Sequence, residues 1–371
     1  MNRDYFVRLR IGKENLRRNY DYFRSKLKPE TKLLVLVKAN SYGHGAVEFA
    51  HALGLENVDY FGVAHPIEGV ELREGGVVNN HILVLTAGYD NFETIVEHNL
   101  EPSIPTIFAL KELNKVLEAK NIKDYPVHIK IDTGMHRLGF MEKEFPELLE
   151  FLSSKECRVK VQGAFTHLAV SDDPKQDEFT LGQLNLYIKL ADRLEKCLGY
   201  KFIRHALNSA GIERFSEYQF DMVRLGIGIY GISTVKESNA EPAAALECKI
   251  LQIKELNPED GTVGYGRWGK ITRPSRIATI PLGYADGLNR HYGRGNVKFA
   301  VNGVLVPTIG NICMDMCMLD VTDTDAKVGD VVTVFGKNPK ASYHAKVLDT
   351  IPYEIFTSVS HRVPRFIDDR L

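Results

Sequence analysis

Leu33-Leu34-Val35-Leu36-Val37-Lys38-Ala39-Asn40-Ser41-Tyr42-Gly43-His44-Gly45 is an apolar run that leads directly into a lysine and a polar turn containing glycines. Continuous apolar runs of this length are typical of parallel strands that are buried on both faces. In a barrel of such strands, the residues at the strands' C-terminal ends lie at one mouth. The stretch therefore predicts a buried strand that delivers the Lys38 amine, with the phenol of Tyr42 nearby, to that mouth.

Seven further runs of the same kind follow, with amphipathic segments between them. Segments such as Ala46–Leu53 and Leu184–Leu198 repeat apolar residues at the helical period of 3.6. Eight βα units in about 200 residues predict a closed (β/α)8 barrel rather than an open doubly wound sheet. We expect the helical pattern over Asn15–Leu27 to fill the outer-ring position after the eighth strand. The predicted strands are Leu33–Val37, Tyr60–Ala64, Ile82–Thr86, Pro102–Pro105, Val127–Asp132, Val159–Phe165, Phe202–Ala206 and Met222–Leu225.

The pattern changes after about Thr234, where Gly, Pro and Asn punctuate short strands and no helical period is evident. We therefore expect an all-β C-terminal domain, with the extended segment Tyr5–Ile11 pairing with it. The predicted division is residues 1–11 for this strand, 12–235 for the barrel and 236–371 for the β domain. The C-terminal strands are predicted at Lys249–Lys254, Arg276–Pro281, Val297–Val301, Val304–Thr308, Met316–Val321 and Val331–Phe335.

The composition favours a small-molecule partner. The chain has 371 residues, 47 basic and 48 acidic, so its formal net charge is -1 and no global field attracts nucleic acid or an anionic membrane. Residues 1–12 contain several charged side chains, and no apolar run in the sequence approaches membrane-spanning length. We therefore expect a cytoplasmic protein. The five cysteines lack metal-site spacing, which predicts free thiols and no metal centre.

Polar residues follow the predicted strands where a barrel of this kind carries its chemistry. The last two strands lead into hydroxyl and backbone donors that can form a phosphate cup. An amine, such a cup, an imidazole and a fixed cation together describe a site for pyridoxal 5'-phosphate (PLP). The residues also leave open a sugar-phosphate barrel enzyme in which Lys38 clamps phosphate. The residues concerned are Lys38, Lys130, His167, Ser209, Arg224, Gly226 and Ile227.

Nine short motifs occur in order along the chain: Val37–Gly45, Ile131–Phe140, Thr166–Ala169, Asn208–Ala210, Val223–Gly226, Gly264–Gly266, Gly283–Gly287, Ile312–Asp315 and Ile351–Glu354. Their content and order resemble those of the bacterial alanine racemase family over essentially the whole chain. The resemblance implies a PLP-binding barrel domain and a β domain. It also implies a head-to-tail homodimer in which each active site borrows residues from the partner's C-terminal domain.

The resemblance also implies a role for each candidate residue. Lys38 would hold PLP and serve as one acid/base, and Tyr265 of the other subunit would serve as the opposite one. His167 would lie against the pyridine ring and Arg224 would face the ring nitrogen. The phosphate would be bound by Tyr42, Ser209, Gly226, Ile227 and Tyr353.

The remaining roles concern the substrate. Arg137 and the backbone N–H of Met314 from the partner would bind its carboxylate, and Tyr284 would line the access corridor. Lys130 would orient Arg137, and in some relatives this lysine carries a carbamate derived from CO2. The chain departs from the family pattern at Asn311, where arginine is usual, and at Leu225, where proline is common. The first departure leaves open whether the substrate is alanine alone or also serine.

The expected reaction is the interconversion of L- and D-alanine, which supplies D-alanine as a peptidoglycan precursor in this family. Removing a proton from one face of a carbon and returning one to the other needs two acid/base groups on opposite sides. Lys38 and Tyr265 would be that pair. Two alternatives stay open: a barrel-type PLP amino-acid decarboxylase, and a noncatalytic PLP-binding protein. The decarboxylase would need a substrate-side acidic site that the sequence does not indicate. The β domain that carries Tyr265 and Met314 argues against the noncatalytic protein.

Overall fold

A closed parallel barrel is the first large unit of the computed structural model, which describes residues 6–233, 235 and 238–371. Elements are numbered in chain order; strand β1 (Val7–Gly12) precedes the barrel. The last barrel strand pairs back onto the first through Met222 to Leu225 and Lys32 to Val35, which closes the ring. The predicted (β/α)8 barrel is confirmed. Its strands are β2 (Lys32–Leu36), β3 (Tyr60–Val63), β4 (His81–Val84), β5 (Glu101–Ile104), β6 (Tyr125–Lys130), β7 (Val159–Phe165), β8 (Ile203–His205) and β9 (Met222–Leu225).

Helices surround the barrel, and the helix before the first barrel strand lies against the segment that follows the last one. The Asn19 side chain donates to the Ile229 carbonyl oxygen at 2.9 Å. The Phe23 ring covers Gly228, where an added Cβ would lie 2.3 Å from its Cζ atom. The Asn15–Leu27 pattern thus corresponds to a helix in the expected place. The helices are α1 (Lys13–Arg24), α2 (Lys38–Tyr42), α3 (Ala46–Leu53), α4 (Pro66–Glu74), α5 (Phe92–Glu97), α6 (Ile107–Ala119), α7 (Phe145–Leu152), α8 (Asp177–Leu198) and α9 (Ser209–Arg214).

The C-terminal part is built on a mixed sheet that also includes the N-terminal strand. Strand β1 pairs antiparallel with β10 (Ala244–Lys249) and parallel with β19 (Arg365–Asp368). The predicted all-β domain and its N-terminal strand are therefore confirmed, although Tyr5, the predicted first residue of that strand, lies outside the described residues. The sheet order is β11-β14-β17-β16-β15-β18-β10-β1-β19. The other strands are β11 (Gln252–Leu256), β12 (Thr262–Val263), β13 (Gly269–Lys270), β14 (Ser275–Ile280), β15 (Lys298–Val301), β16 (Val304–Ile309), β17 (Cys317–Asp320) and β18 (Val331–Phe335).

Two details of the C-terminal part differ from the sequence expectation. The single strand predicted at Lys249–Lys254 is divided between β10 and β11. Ile250 donates its N–H to the Asp330 carbonyl at 3.0 Å, whereas the next residue, Leu251, donates its N–H to the Thr279 carbonyl at 2.9 Å. Because these two acceptors belong to different parts of the sheet, the chain turns between the two residues. Two short helices, α10 (Ala341–Val347) and α11 (Pro352–Thr357), also interrupt the strands. Helices of two turns or fewer contain too few residues for a recognisable period.

The division of the chain at residues 11/12 and 235/236 stays a prediction, since Thr234, Lys236 and Glu237 at the second boundary lie outside the described residues. All five cysteines are free thiols. Within the described ranges, no helix combines the length and the apolar character that crossing a membrane requires.

Candidate functional site

A left-handed turn at the end of β2 presents Lys38 and Tyr42 at the barrel mouth. The four residues from Ala39 to Tyr42 have φ values between 51° and 54°. This conformation costs about 1 to 2 kcal/mol per residue other than glycine, so surrounding contacts must hold it. The Glu68 carboxylate accepts from the Ala39 N–H at 2.6 Å, and the Ser41 hydroxyl bonds that of Tyr230 at 2.8 Å. The turn is therefore a fixed feature of the mouth.

The Lys38 amine is partly buried in this turn. Burial lowers its pKa below the usual lysine value, the positive charge of Arg137 lowers it further, and the Glu68 carboxylate partly opposes both effects. A lower pKa increases the fraction of unprotonated amine at neutral pH, and the unprotonated amine is the nucleophilic form. The Lys38 amine is thus suited to form a covalent bond with a carbonyl carbon.

An anion cradle lies beside the turn, between the ends of β8 and β9. The Ser209 hydroxyl accepts hydrogen bonds from the N–H groups of Gly226 at 2.9 Å and Gly228 at 3.2 Å. Helix α9 and a 3-10 helix begin here, at Ser209 and Ile227, and the first N–H groups of a helix have no intrahelical acceptor. A Cβ on Gly226 would lie 3.1 Å from the Tyr42 hydroxyl oxygen, so the glycine keeps this space open.

Tyr353 completes the rim of the cradle. Its ring centroid lies 5.8 Å from that of Tyr42. Burial raises the pKa of Tyr353 to about 12 and that of Tyr42 further, so both phenols stay protonated donors at neutral pH. Hydroxyl and backbone donors of this kind are suited to a phosphate group.

Arg224 on β9 is a buried cation held in one orientation. Its terminal nitrogens donate to the carbonyl oxygens of Thr166 at 2.6 Å and Ala206 at 3.0 Å, and to Nδ1 of His205 at 3.1 Å. Burial lowers its pKa to about 10, which still leaves the guanidinium charged at neutral pH. Since it bonds carbonyls and an imidazole rather than a carboxylate, its charge is not directly paired.

His167, at the end of β7, lies next to this cation. One terminal nitrogen of Arg224 is 3.4 Å from its Nδ1 atom. Burial lowers the pKa of His167 well below the usual value, and the charges of Arg224 and Lys130 lower it further. The imidazole is therefore neutral at physiological pH and offers a flat, uncharged face.

Lys130 at the end of β6 is a second amine with an altered pKa. Burial lowers its pKa to about 7, with further contributions from the charges of Arg224 and Arg137. Its Nζ atom lies 4.5 Å from the centroid of the Phe165 ring. The described residues give its amine no salt-bridge partner within 4.0 Å, and the Asp132 carboxylate opposes the lowering of its pKa only in part.

Arg137 is exposed on the turn that follows β6. The buried carboxylate of Asp132 shapes this turn by accepting from the N–H groups of Gly134 at 2.9 Å and His136 at 3.1 Å. The charge of Arg137 contributes to the lowered pKa values of both Lys38 and Lys130, which places it at the same mouth. Its exposed guanidinium is available to a substrate anion.

Gln183 of helix α8 supports this group, although no motif in the sequence points to it. Its buried side chain donates to the Thr133 hydroxyl at 3.3 Å and to the His167 carbonyl at 3.1 Å, and it accepts from the Ala169 N–H at 2.9 Å. One amide thus links the ends of β6 and β7. A lone glutamine in an amphipathic helix carries no signal that distinguishes this role from a solvent-facing one.

The other predicted residues form a separate, exposed group on the C-terminal domain. The side chains of Tyr265, Met314 and Tyr284 are 75%, 54% and 43% exposed. The Ala285 N–H donates to the Met314 carbonyl at 3.0 Å, which keeps Met314 next to Tyr284. Among the contacts of the described residues, no hydrogen bond or ring contact connects Tyr265 to Lys38. One chain therefore brings together the barrel group but leaves the two groups apart.

Comparison with known proteins identifies the family. Residues 11–234 match the model of the alanine racemase N-terminal domain, and residues 243–367 match that of the C-terminal domain. Alanine racemase 2 of Caldanaerobacter subterraneus subsp. tengcongensis is 37% identical over 97% of this chain and 94% of its own. The alanine racemase of Clostridium difficile 630 superposes with a TM-score of 0.90 at 34% identity, covering 99% of this chain and 97% of that one.

A further solved structure is that of the alanine racemase from Bartonella henselae with covalently bound pyridoxal phosphate. It is 28% identical, has a TM-score of 0.88 and covers 98% of this chain and 100% of its own. The two domain models together account for most of the sequence, and the similarity to solved structures extends over both the barrel and the β domain. This chain belongs to the alanine racemase family.

Proposed function

We propose that this chain is a PLP-dependent alanine racemase that interconverts L- and D-alanine. The observation that carries the proposal is the Lys38 amine of lowered pKa, placed at the mouth that also holds an anion cradle and the Arg224 cation. A Schiff-base amine and a phosphate site side by side are what this coenzyme requires. Membership of the alanine racemase family supports the choice of reaction and substrate.

The residues present fit PLP. Gly226 keeps open the space beside the Tyr42 hydroxyl that a Cβ would occupy, and the Ser209 hydroxyl oxygen lies 3.8 Å from that position. We assign the Ile227 N–H and the Tyr353 hydroxyl to the same phosphate group. The Bartonella relative carries this coenzyme covalently, and we assign the corresponding bond here to the Nζ atom of Lys38. When bound, the coenzyme supplies an electron sink that stabilises negative charge at the substrate Cα.

Arg224 and His167 set the electronic environment of the coenzyme ring. Because the guanidinium has a pKa of about 10 and is held by two carbonyls and His205, it donates and keeps its proton. A permanent donor facing the ring nitrogen leaves that nitrogen unprotonated, which moderates the electron sink. The neutral imidazole of His167 adds no second charge.

Lys38 and Tyr265 of the partner subunit transfer the proton. Each removes it from one face of the substrate Cα or returns it to the other, so the two directions use the same pair in opposite roles. Arg137 and the Met314 backbone N–H of the partner subunit bind the substrate carboxylate, and Tyr284 lines the access corridor. The equilibrium constant is one because the two substrates are mirror images.

Lys130 orients Arg137. Its pKa of about 7 leaves a large share of the amine unprotonated, and an unprotonated amine reacts with CO2 to form a carbamate. A carbamate would replace a buried cation by an anion facing the Arg137 guanidinium. We expect activity to rise with bicarbonate in the wild type and to be flat in Lys130→Ala. Wild-type-like activity of Lys130→Ala at every bicarbonate level contradicts this assignment.

A homodimer completes the site. The exposed side chains of Tyr265 and Met314 lie on a face that makes no described contact with Lys38, so a second copy is needed to bring the two groups together. Two-fold dimers are the commonest assemblies that can place one copy's residues in the other's site.

We also propose that the protein is located in the cytoplasm.

A chiral assay tests the activity. The wild type is expected to convert L-alanine to D-alanine until the two are equal, whereas Lys38→Ala and Tyr265→Phe are not. A barrel-type decarboxylase would release CO2 and a noncatalytic PLP carrier would leave L-alanine unchanged. Either result overturns the proposal.

Mixing the two inactive variants tests the shared site. A mixed dimer of Lys38→Ala and Tyr265→Phe subunits has one site with both native groups and one with neither. Random exchange makes half of the dimers mixed, so about a quarter of the wild-type activity is expected to return. If both groups came from the same chain, every site in the mixture would lack one of them and no activity would return.

A further inference from the structure

A chain of hydrogen bonds runs inside the barrel from Arg224 at the upper mouth to the lower mouth. Arg224 donates to Nδ1 of His205 at 3.1 Å, and Nε2 of His205 lies 3.0 Å from Nδ1 of His128. Nε2 of His128 lies 2.9 Å from a carboxylate oxygen of Glu101, whose other oxygen bonds His81. Glu101 and His81 are the first residues of β5 and β4, so the chain spans the height of the barrel.

The chemistry of the groups fixes the direction of every bond in this chain. A guanidinium can only donate, so Nδ1 of His205 accepts and the proton of its neutral ring is on Nε2. That proton is donated to Nδ1 of His128, whose own proton is then on Nε2 and is donated to Glu101. Burial and the charge of Arg224 lower the pKa of His205 well below the usual value, which agrees with a neutral ring.

The two ends of the chain carry opposite charges. Burial would raise the pKa of Glu101, but the hydrogen bonds from His128 and His81 lower it to about 2, so the group is a carboxylate. Arg224 is 2% exposed and Glu101 is 5% exposed. Among the described residues, Arg224 forms no salt bridge, and Glu101 pairs with His81 at the lower mouth. A buried charge without compensation is costly.

We propose that Glu101 is the counter-charge of Arg224 and a positioning residue for it, acting through the neutral imidazoles of His128 and His205. Through the two imidazoles, the carboxylate fixes the tautomer that presents an unprotonated Nδ1 to Arg224. The opposite tautomer of His205 would place an N–H against the guanidinium and displace it. This inference rests on the proposed function, because it assigns Glu101 an effect on the cation that faces the coenzyme ring.

The tautomers are measured directly in the holoenzyme labelled with ¹⁵N at histidine. Long-range ¹H–¹⁵N spectra distinguish rings protonated on Nδ1, on Nε2 or on both, and the signals are assigned from His128→Asn and His205→Asn. Both rings are expected to be neutral and protonated on Nε2. Protonation of Nδ1 in either ring overturns the proposal. This measurement does not depend on turnover. If both rings show the expected tautomers but the protein forms no D-alanine, only the proposed function is overturned.

Glu101→Gln tests the positioning effect, and Asp59→Asn is its matched control. Asp59 lies just before β3 at the same end of the barrel and accepts from the Leu33 N–H at 2.9 Å, but it does not contact the chain of imidazoles. Both changes remove one negative charge from the lower mouth and keep an acceptor oxygen.

Glu101→Gln is expected to lower kcat by about tenfold or more with KM within about twofold, because Arg224 acts on the reacting centre rather than on substrate capture. It is also expected to shift the His128 and His205 ¹⁵N signals. Asp59→Asn should leave kcat and both signals unchanged. Wild-type kcat in Glu101→Gln, or an equal loss in both variants, overturns the positioning role. If Glu101→Gln fails to fold, the wild-type spectrum still overturns the proposal when either ring is protonated on Nδ1.

Discussion

The side-chain amide of Asn311 donates a hydrogen bond to the backbone carbonyl of Tyr265 at 2.8 Å. The same side chain accepts from Nε of Arg294 at 2.8 Å and is largely buried. The turn around Tyr265 includes Arg267, whose φ of 56° is costly for a residue other than glycine, so contacts from outside the turn must help to hold it. The amide thus holds the backbone of a residue whose phenol is exposed. Asn311, the residue at which the sequence departs from the expected arginine, is thus a support of this turn.

Asn311→Asp is expected to lower kcat by about tenfold with little change in KM. The substitution keeps the oxygen that accepts from Arg294 but replaces the donor facing the Tyr265 carbonyl with a second acceptor. Losing one hydrogen bond of this kind corresponds to about 1 to 1.5 kcal/mol. Steady-state racemisation measured from both L- and D-alanine gives kcat and KM.

Asn296→Asp is the matched control, because Asn296 also donates to a backbone carbonyl of the same domain, that of His291 at 2.9 Å. It is exposed and does not contact the Tyr265 turn, so kcat should stay at the wild-type value. Unchanged kcat in Asn311→Asp would show that the amide does not position Tyr265.

The barrel could be predicted because most residues of its strands are buried on both faces, so that most of the strands appear as apolar runs. Strand ends were off by one or two residues, as at His81, since a polar residue can begin a strand at the barrel rim. The C-terminal sheet was harder to predict. One apolar segment, Lys249–Lys254, contributes to two different strands, and the tertiary hydrogen bonds that separate them are not visible in the sequence.

The candidate site was predictable only in part. Lys38, Lys130 and Arg224 stand out because charged residues are rare at the ends of apolar strands. The left-handed turn is not predictable, since none of the four residues with positive φ from Ala39 to Tyr42 is glycine. His128 and His205 give no sequence signal that they contact each other, because their pairing depends on strands 77 residues apart.

Arg137→Ala is expected to move the pH dependence of coenzyme capture to higher pH. The positive charge of Arg137 helps to lower the pKa of Lys38, and its removal lets that pKa rise. Capture requires the unprotonated amine, so the rate at neutral pH should fall. At pH values where the amine is unprotonated in both proteins, the rates should converge.

The measurement is the rate at which apoenzyme acquires the visible absorption of bound PLP, followed from neutral to alkaline pH. Arg158→Ala provides the control, because Arg158 lies at the start of β7, away from the barrel mouth. A parallel loss of rate at every pH in Arg137→Ala would mean that the arginine acts on coenzyme binding rather than on the amine.

Lys130→Met is expected to stabilise the protein most at neutral pH and below. The folded protein holds the pKa of Lys130 at about 7, whereas an unfolded lysine has a pKa of about 10.4. Between these values the unfolded chain binds more protons at this position, so this lysine makes wild-type stability rise with pH. At low pH the folded protein must bury a charged amine. Replacing it with methionine removes this cost and is expected to raise the free energy of unfolding by on the order of a few kcal/mol.

Urea unfolding of both proteins in bicarbonate-free buffer gives the free energies of unfolding from pH 6 to 10. The advantage of Lys130→Met should shrink steadily across this range. Lys160→Met, which changes an exposed lysine on β7, should show no such trend. A constant difference between Lys130→Met and the wild type at all pH values would argue against the buried-charge penalty.

Gly226→Ala is expected to weaken coenzyme binding while leaving the fold intact. The new Cβ would lie 3.1 Å from the Tyr42 hydroxyl oxygen and 3.3 Å from Cδ1 of Leu36, so these neighbours must shift by a few tenths of an ångström and the cradle becomes smaller. Steric displacement of this kind costs about 1 to 3 kcal/mol, which corresponds to roughly tenfold or more in the dissociation constant. Fluorescence titration of apoenzyme with PLP measures that constant.

Gly182→Ala separates this effect from a general response to adding a methyl group. Gly182 lies in helix α8 with no atom within 4 Å of its added Cβ. Alanine there should raise stability by about 1 kcal/mol or less and leave the PLP dissociation constant unchanged. If Gly226→Ala binds PLP as tightly as Gly182→Ala does, the coenzyme phosphate does not occupy the space between Tyr42 and Ser209, and the assignment of the cradle is wrong.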